Sequence, residues 1–197
     1  MHGIVIGLVG LAGAGKDSLA DYMIENFGVT KLGFSYALKE LACEHFGYDF
    51  DRLSDLDYKE EQDPNLADGW TRRRVLQHIG TEGFRAVDPD HWVKIAMKTA
   101  STMLAAGAPA VVFADVRFMN EAAAIRALPQ GYLWRVVRSD ATTQATGEAA
   151  ATHRSEQESE RIVPHVTLSA EFGQLPALYA QGDVLARGIG LRRLEDA

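Results

Sequence analysis

The sequence predicts an α/β fold, a parallel β-sheet with helices on both faces, and three observations carry that prediction. Two short apolar runs, GIVIGLV at 3–9 and AVVFADV at 110–116, have the nearly continuous hydrophobicity of strands buried on both sides. Other stretches place apolar residues at helical spacing, as Leu19, Ala20, Met23 and Phe27 do. The two kinds of segment alternate along the chain, the pattern of a parallel sheet layered with helices.

Each element follows in order. The strand at 3–9 runs through a glycine-rich turn into a helix over 16–27. A short strand at 30–34 and a helix at 36–46 come next. Residues 49–68 are acidic and weakly periodic, and read as a surface excursion with one short helix. The stretch 71–86 looks helical but bent near Gly80 and Gly83. Asp88-Pro89-Asp90 is a helix-start signal, and the helix it opens runs from His91 to about 106, ended by Gly107. The strand at 110–116 leads to a short helix at 120–128 and a strand at 132–138. Residues 139–152, rich in Ala, Thr and Gly, read as a loop. Ser155, with Glu158 three residues on, is a capping box that opens another helix. A last strand at 165–168 and a helix at 172–186 complete the chain.

With 197 residues the chain fits one α/β domain with a real core. The formal net charge of -7 argues against a broad basic face for nucleic acid. Cys43 is the one cysteine, so neither a disulfide framework nor a cysteine-based zinc site can form. The apolar N-terminus lacks a basic leader, and no apolar run approaches the roughly 20 residues of a membrane span. A cytoplasmic protein is the expectation.

The strongest chemical signal is GLAGAGKDS, Gly10 to Ser18, set between a buried strand and a helix. Gly10, Gly13 and Gly15 allow the backbone of Leu11, Ala12, Gly13, Ala14 and Gly15 to wrap phosphate oxygens with inward N–H groups. The helix that starts at Lys16 adds the positive end of its dipole, and Lys16 adds a compact cation for the β- and γ-phosphates. The usual residue after the lysine is Ser or Thr, whose hydroxyl binds Mg²⁺. Here Asp17 stands there, with Ser18 behind it. Asp17 either ligates Mg²⁺, as a hard oxygen donor, or caps the helix. The bland alternative for the whole segment is a glycine turn that binds nothing. Seven spaced positions and both flanking elements argue against it.

Asp115 ends the strand at 110–116, where an acid can order Mg²⁺ through water or accept a proton from an attacking group. Arg117, two residues on, can reach a phosphate in the same cleft. The plain alternative is a helix cap and a surface ion pair. Between Trp70 and Trp92 lies a basic segment with Arg72, Arg73, Arg74, Gln77 and Arg85. On a continuous helix Arg73 and Gln77 share a face, as do Arg74, His78 and Arg85. Arginine forks suit a monophosphate, and Trp92 or Phe84 suits stacking on a base. A solvated basic helix with aromatics in the core is the competing reading. Arg135, Arg138, His153 and Arg154 flank the loop at about 139–155, which would act as a lid over ATP. His2, His45 and His165 have no evident partners in the sequence.

Taken together, GLAGAGKDS, LQHIGTEGFRAVDPDHWV, FADVRFMNEAAAI and HRSEQE, in that order, resemble the phage-type deoxynucleoside monophosphate kinases, from roughly Gly7 to Glu158. GKD is the usual form of the loop in that family. The resemblance implies a three-layer P-loop NTPase fold of the nucleoside-monophosphate-kinase kind, one domain with an acceptor-binding helical region at about 36–106 and a lid at about 139–155. It implies ATP and Mg²⁺, with transfer of the γ-phosphoryl group to a deoxynucleoside monophosphate. It implies Lys16 and its loop for ATP, Asp115 with Arg117 near the transferred phosphate, and the segment from His153 to Glu156 close to the lid. From the residues themselves, Arg138 and Arg154 are the expected ATP contacts at the lid, and Asp17, Ser18 and Asp115 the expected metal ligands. Arg73, Gln77, Arg85, Asp88 and Trp92 are the expected acceptor residues, and Lys16, Asp115 and Arg117 the catalytic ones. A small nucleotide is the expected partner, with neither nucleic acid nor membrane, in a monomer or homodimer. Two alternatives stay open: a P-loop kinase of another small phosphorylated metabolite, and an ATP-binding regulatory protein without turnover. The chain has no Asn-Lys-x-Asp guanine motif, which argues against an ordinary GTPase.

Overall fold

A computed structural model describes residues 3–139 and 154–196, with the side chains of 154–157 left out. The chain gathers into two compact units: 1–33 with 97–197, and 34–96.

The first unit holds the sheet. Its strands are β1 (Ile4–Val9), β2 (Thr30–Leu32), β3 (Ala110–Val116), β4 (Gly131–Arg138) and β5 (Val166–Ala170). All pair in parallel, in the order β2-β3-β1-β4-β5. Every residue of β1 is buried, as expected of a central strand covered on both faces. Its helices are α1 (Lys16–Phe27), α7 (Met119–Arg126), α8 (Arg154–Arg161) and α9 (Leu175–Gly188). On one face, Ile4, Ile6 and Leu8 join a core with Leu19, Met23 and Phe27 of α1 and with Leu178 and Ala186 of α9. On the other, a Cβ placed on Gly7 would stand 2.6 Å from Ile125 of α7 and 2.9 Å from Leu133. Helices therefore cover both faces, as the alternating pattern predicts.

The second unit is helical. It contains α2 (Tyr36–Phe46), a short 3₁₀ turn (Arg52–Ser54), α3 (Leu56–Glu60), α4 (Arg72–Gln77), a wide π-helical turn (His78–Phe84) and α5 (Arg85–Val87). The boundary at Ala96 falls inside α6 (His91–Ala105). A core of Ala42, Tyr48, Leu53, Tyr58 and Val75 holds it. The helical region expected at about 36–106 thus has its own core and gives way to the first unit at Met97.

Differences from the expected elements are local. The second strand stops at Leu32, and the last helix starts at Leu175, with Pro176 in its first turn. The helix expected over 71–86 is broken into three parts by the wide turn, which contains Gly80 and Gly83. The cap expected at Ser155 and most of the loop at 139–155 lie outside the described residues.

Candidate active site

The glycine-rich turn leaves β1 at Val9, which pairs with Val116 of β3 across a register shift. That pairing sets Asp115 beside the start of the turn, so the two strongest sequence signals meet at the carboxyl ends of neighbouring strands. Ligands of open parallel sheets bind at those ends. Gly10 has φ 150°, and a Cβ there would stand 2.3 Å from the Val136 carbonyl oxygen. Any side chain would push the turn off β4. Ala14 N donates to the Leu11 carbonyl at 3.3 Å and closes the loop. The N-cap of α1 is Gly15, with φ 98° and no side chain to cap the first turn.

Lys16 is 8% exposed. Its ammonium donates to the carbonyls of Gly10 (2.8 Å) and Leu11 (2.7 Å). The cation is thus folded back onto two carbonyls of its own loop. Asp17 does not cap α1; its carboxylate lies 3.0 Å from the ammonium of Lys31 on β2. The helix-cap alternative for this residue is therefore set aside.

Asp115 is the sixth residue of β3 and half-buried; Arg117 is exposed in the turn that follows. Sequence reasoning passed over Glu121, which is 2% exposed. Its Oε2 accepts from Arg117 N (2.8 Å) and Phe118 N (3.0 Å), so a buried carboxylate holds the turn between Asp115 and α7. An Asn-Glu pair at a helix start was the available signal, since a glutamate at the third helical position reaches back to the cap. Glu158 of α8 accepts from Met119 N at 3.3 Å; the box expected between it and Ser155 lies outside the described residues.

Of the arginines flanking the lid loop, Arg135 donates to the carbonyls of Ser159 (3.1 Å) and Ile162 (2.5 Å) at the end of α8. It is a helix C-cap, and its charge offsets the helix dipole. Arg138 ends β4 with its guanidinium 5.3 Å from the ring centroid of Phe172. The side chain of Arg154, and His153 altogether, lie outside the described residues. His165 proves structural: its Nδ1 accepts from Leu133 N at 2.8 Å, while its backbone N–H donates to the Leu133 carbonyl at 2.7 Å.

In the second unit the arginine triplet divides. Arg72 lies over Tyr58 (4.0 Å to the ring centroid) and donates to the Tyr58 carbonyl (3.0 Å) and to Glu61 (2.7 Å). It is a structural residue. Arg74 lies over Trp70 at 4.8 Å and donates to the Gly69 carbonyl at 3.0 Å. Arg73 pairs with Glu60 at the surface. Arg73 and Gln77, four residues apart on α4, both line a cleft of about 460 Å³ with Trp70, Thr71, Arg74, His78 and Glu82. Thr71 caps α4 by accepting from Arg74 N at 3.2 Å.

Three expected acceptor residues do not line that cleft. The π-helical stretch at 78–84 has wider turns than an α-helix, so Arg85 does not keep the face of Arg74 and His78. Asp88 accepts from Asp90 N (3.1 Å) and Lys94 Nζ (2.8 Å), and the Lys94 ammonium holds its carboxyl below the ordinary carboxylate range. Trp92 is corrected outright as a stacking platform. It is buried, its indole donates to the Gly80 carbonyl at 3.0 Å, and its ring meets Phe84 edge-on at 5.1 Å. Its size and polar handle are used to hold the wide turn.

Among the described residues no group of three or more His, Cys, Asp or Glu side chains gathers as a metal cage. The oxygens of Asp17, Ser18 and Asp115 are hard donors that fit Mg²⁺, which takes few protein ligands and keeps its waters.

Fold and loop together define a P-loop-type α/β protein. No protein-family model matches the chain. Over 162 residues it is 29% identical to a protein of Acanthamoeba polyphaga mimivirus provisionally named a deoxynucleotide monophosphate kinase, a match that covers 77% of this chain and 83% of that one. The resemblance read from the four motifs therefore extends over most of the chain. Among solved structures it is similar to TT1252 from Thermus thermophilus, with a TM-score of 0.52 and 20% identity, covering 95% of this chain and 98% of the other. At that identity the likeness is one of fold. Among the described residues no helix is long and apolar enough to cross a membrane.

Proposed function

We propose that the protein is an ATP-dependent kinase of deoxynucleoside monophosphates, giving the diphosphate and ADP. One observation carries the reading. A wrapped glycine loop with a nearly buried lysine sits at the end of β1, beside a strand-end aspartate on β3. The relative's name supports the nucleotide substrate.

The chemistry asked of the chain is positioning and charge neutralisation. Lys16 exchanges the Gly10 and Leu11 carbonyls for β- and γ-phosphate oxygens. The backbone of 11–15 and the start of α1 add N–H donors. Asp17, Ser18 and Asp115 are the residues that would hold Mg²⁺, which supplies charge neutralisation on the polyphosphate when bound. Asp115 is also the candidate acceptor for the proton of an attacking group, and Arg117 the candidate cation for the transferred phosphoryl group. Arg73 and Gln77 offer a guanidinium fork and an amide to the acceptor in the second unit's cleft. Arg85 and Asp88 remain acceptor-side candidates by resemblance alone. Arg138 and Arg154 are proposed to serve the donor from the lid side. A cytoplasmic monomer or homodimer, with neither nucleic acid nor membrane as partner, completes the reading.

The test is a coupled ADP-release assay against all deoxy- and ribonucleoside monophosphates, with Lys16→Ala as control. Transfer to one or more deoxynucleotides is expected, and Lys16→Ala should lower it by about a hundred- to a thousandfold without unfolding the protein. Full activity in Lys16→Ala, or transfer only to a non-nucleotide acceptor, would refute the proposal.

A further inference from the structure

Asp17 is an anion in an unfavourable place for the ligand proposed. It follows Lys16 directly, in the first turn of α1, where N–H groups and the helix dipole attract phosphate. A neutral hydroxyl is the usual residue there. A bare carboxylate at that point would repel a polyphosphate.

The structure couples this carboxylate to a cation from outside the loop. Lys31 Nζ lies 3.0 Å from Asp17 Oδ1 and 2.9 Å from Asp21 Oδ1. Lys31 belongs to β2 and is tied to the sheet through its pairing with Val112 of β3. Its side chain is 20% exposed, whereas that of Asp17 is 77% exposed. Asp21 lies one helical turn beyond Asp17, so it anchors the ammonium independently of the loop.

We infer that Lys31 is a positioning residue for the phosphate loop: it holds Asp17 toward β2 and cancels its charge, so that an acid can occupy the loop without repelling the nucleotide. This rests on the reading of Gly10–Ser18 as a polyphosphate site. The pair carries no net charge, as a hydroxyl would not, and the Asp17 side chain stays 77% exposed.

The test is ADP affinity by titration calorimetry in EDTA, so that no metal intervenes, for wild type, Lys31→Met, Asp17→Asn and the double variant, with thermal melts of each. Lys31→Met should weaken ADP binding about five- to tenfold, the scale of one uncompensated charge near a partly exposed site. The double variant should return to within about twofold of wild type, even though α1 has lost the same ion pairs. Asp17→Asn alone should bind metal-free ADP at least as tightly as wild type. Unchanged affinity in Lys31→Met, or a double variant as weak as Lys31→Met, would overturn the inference, the second outcome assigning Lys31 to packing. Should Lys31→Met not fold, Asp17→Asn decides: weaker metal-free binding in that variant contradicts the charge argument. Lys16→Ala in the same titration keeps the two readings apart. If it leaves ADP binding untouched, the phosphate loop itself is wrong; if it weakens binding while Lys31→Met does not, only the role of Lys31 falls.

Discussion

At the scale of single residues, buried carboxylates do work that their neighbours in sequence do not announce. Glu121 is a buried acid, tolerable because two backbone N–H groups meet one of its oxygens. Glu121→Ala should cost about 1–3 kcal/mol of stability. It should also lower kcat while ADP affinity stays near wild type, because the loosened turn carries Asp115 and Arg117 but not the phosphate loop. Glu121→Gln keeps an acceptor oxygen and should lie between the two. Equal losses of kcat and ADP affinity would speak against this role. A second buried acid, Asp63, takes a hydrogen bond from the Tyr48 hydroxyl (2.6 Å) and another from Asn65 N (2.9 Å). Burial works to raise its pKa, but those bonds and the Arg72 charge outweigh it and hold the carboxyl below its ordinary 3.8. The Tyr48 hydroxyl is pushed up by burial and by that same bond. The unfolded chain thus takes up this proton at a higher pH than the folded one. The stabilisation is complete above about pH 4 and is lost as pH falls through the folded value. Asp63→Asn should flatten the acid limb of a stability-against-pH curve measured by urea unfolding. Tyr48→Phe should cost about 1–3 kcal/mol and move the acid loss to higher pH. An acid limb identical in all three proteins would count against the pair.

At the scale of elements, the wide turn at His78–Phe84 is the least regular part of the second unit, and its support is visible. The indole of Trp92 at the start of α6 donates to the Gly80 carbonyl inside the turn, and Phe84 and His91 stack at 4.6 Å across its end. Single wide turns of this kind recur at functional sites, and His78 and Glu82 of this one line the cleft. Trp92→Phe keeps the ring but removes the donor, leaving a buried carbonyl without its partner. The expected cost is about 1–3 kcal/mol in denaturant unfolding. If the acceptor uses this cleft, its KM should rise more than that of ATP. An unchanged acceptor KM beside a clear loss of stability would separate the turn from acceptor binding. The edge strand β5 shows a quieter device. The Gln181 amide accepts from Ser169 N at 3.1 Å and donates to the Ser169 carbonyl at 2.8 Å, pairing backbone groups that a sheet edge would otherwise present.

At the scale of the molecule, the helix that follows the phosphate loop is held from the far end of the chain. Leu191 and Leu178 share a core with Leu19, Met23 and Phe27 of α1. Arg193 donates to Tyr22 on α1 at 2.7 Å and to Asp183 on α9 at 2.7 Å, while Tyr22 stacks on Tyr179 at 4.6 Å. No motif marks these residues. Leu191→Ala should cost about 2–5 kcal/mol by cavity formation, read as a lower midpoint in denaturant. A midpoint unchanged by Leu191→Ala would show that the segment after α9 contributes little to the core.

The glycine-rich turn, the buried strands β1 and β3 and most helices were legible in the sequence, because strand burial, helical period and glycine geometry are local and leave local marks. Asp115 was legible for the same reason: an apolar run that ends in a charge marks a strand end. The tertiary structure decided what depends on partners distant in sequence. It separated Arg73, which lines a cleft, from Arg72, which lies against Tyr58, although the two are adjacent and chemically identical. It moved Trp92 from a candidate platform into the interior. It gave Asp17 a cation from β2 and Glu121 its two donors. Period and composition describe what a residue is, whereas its charge balance and exposure depend on what the fold brings against it.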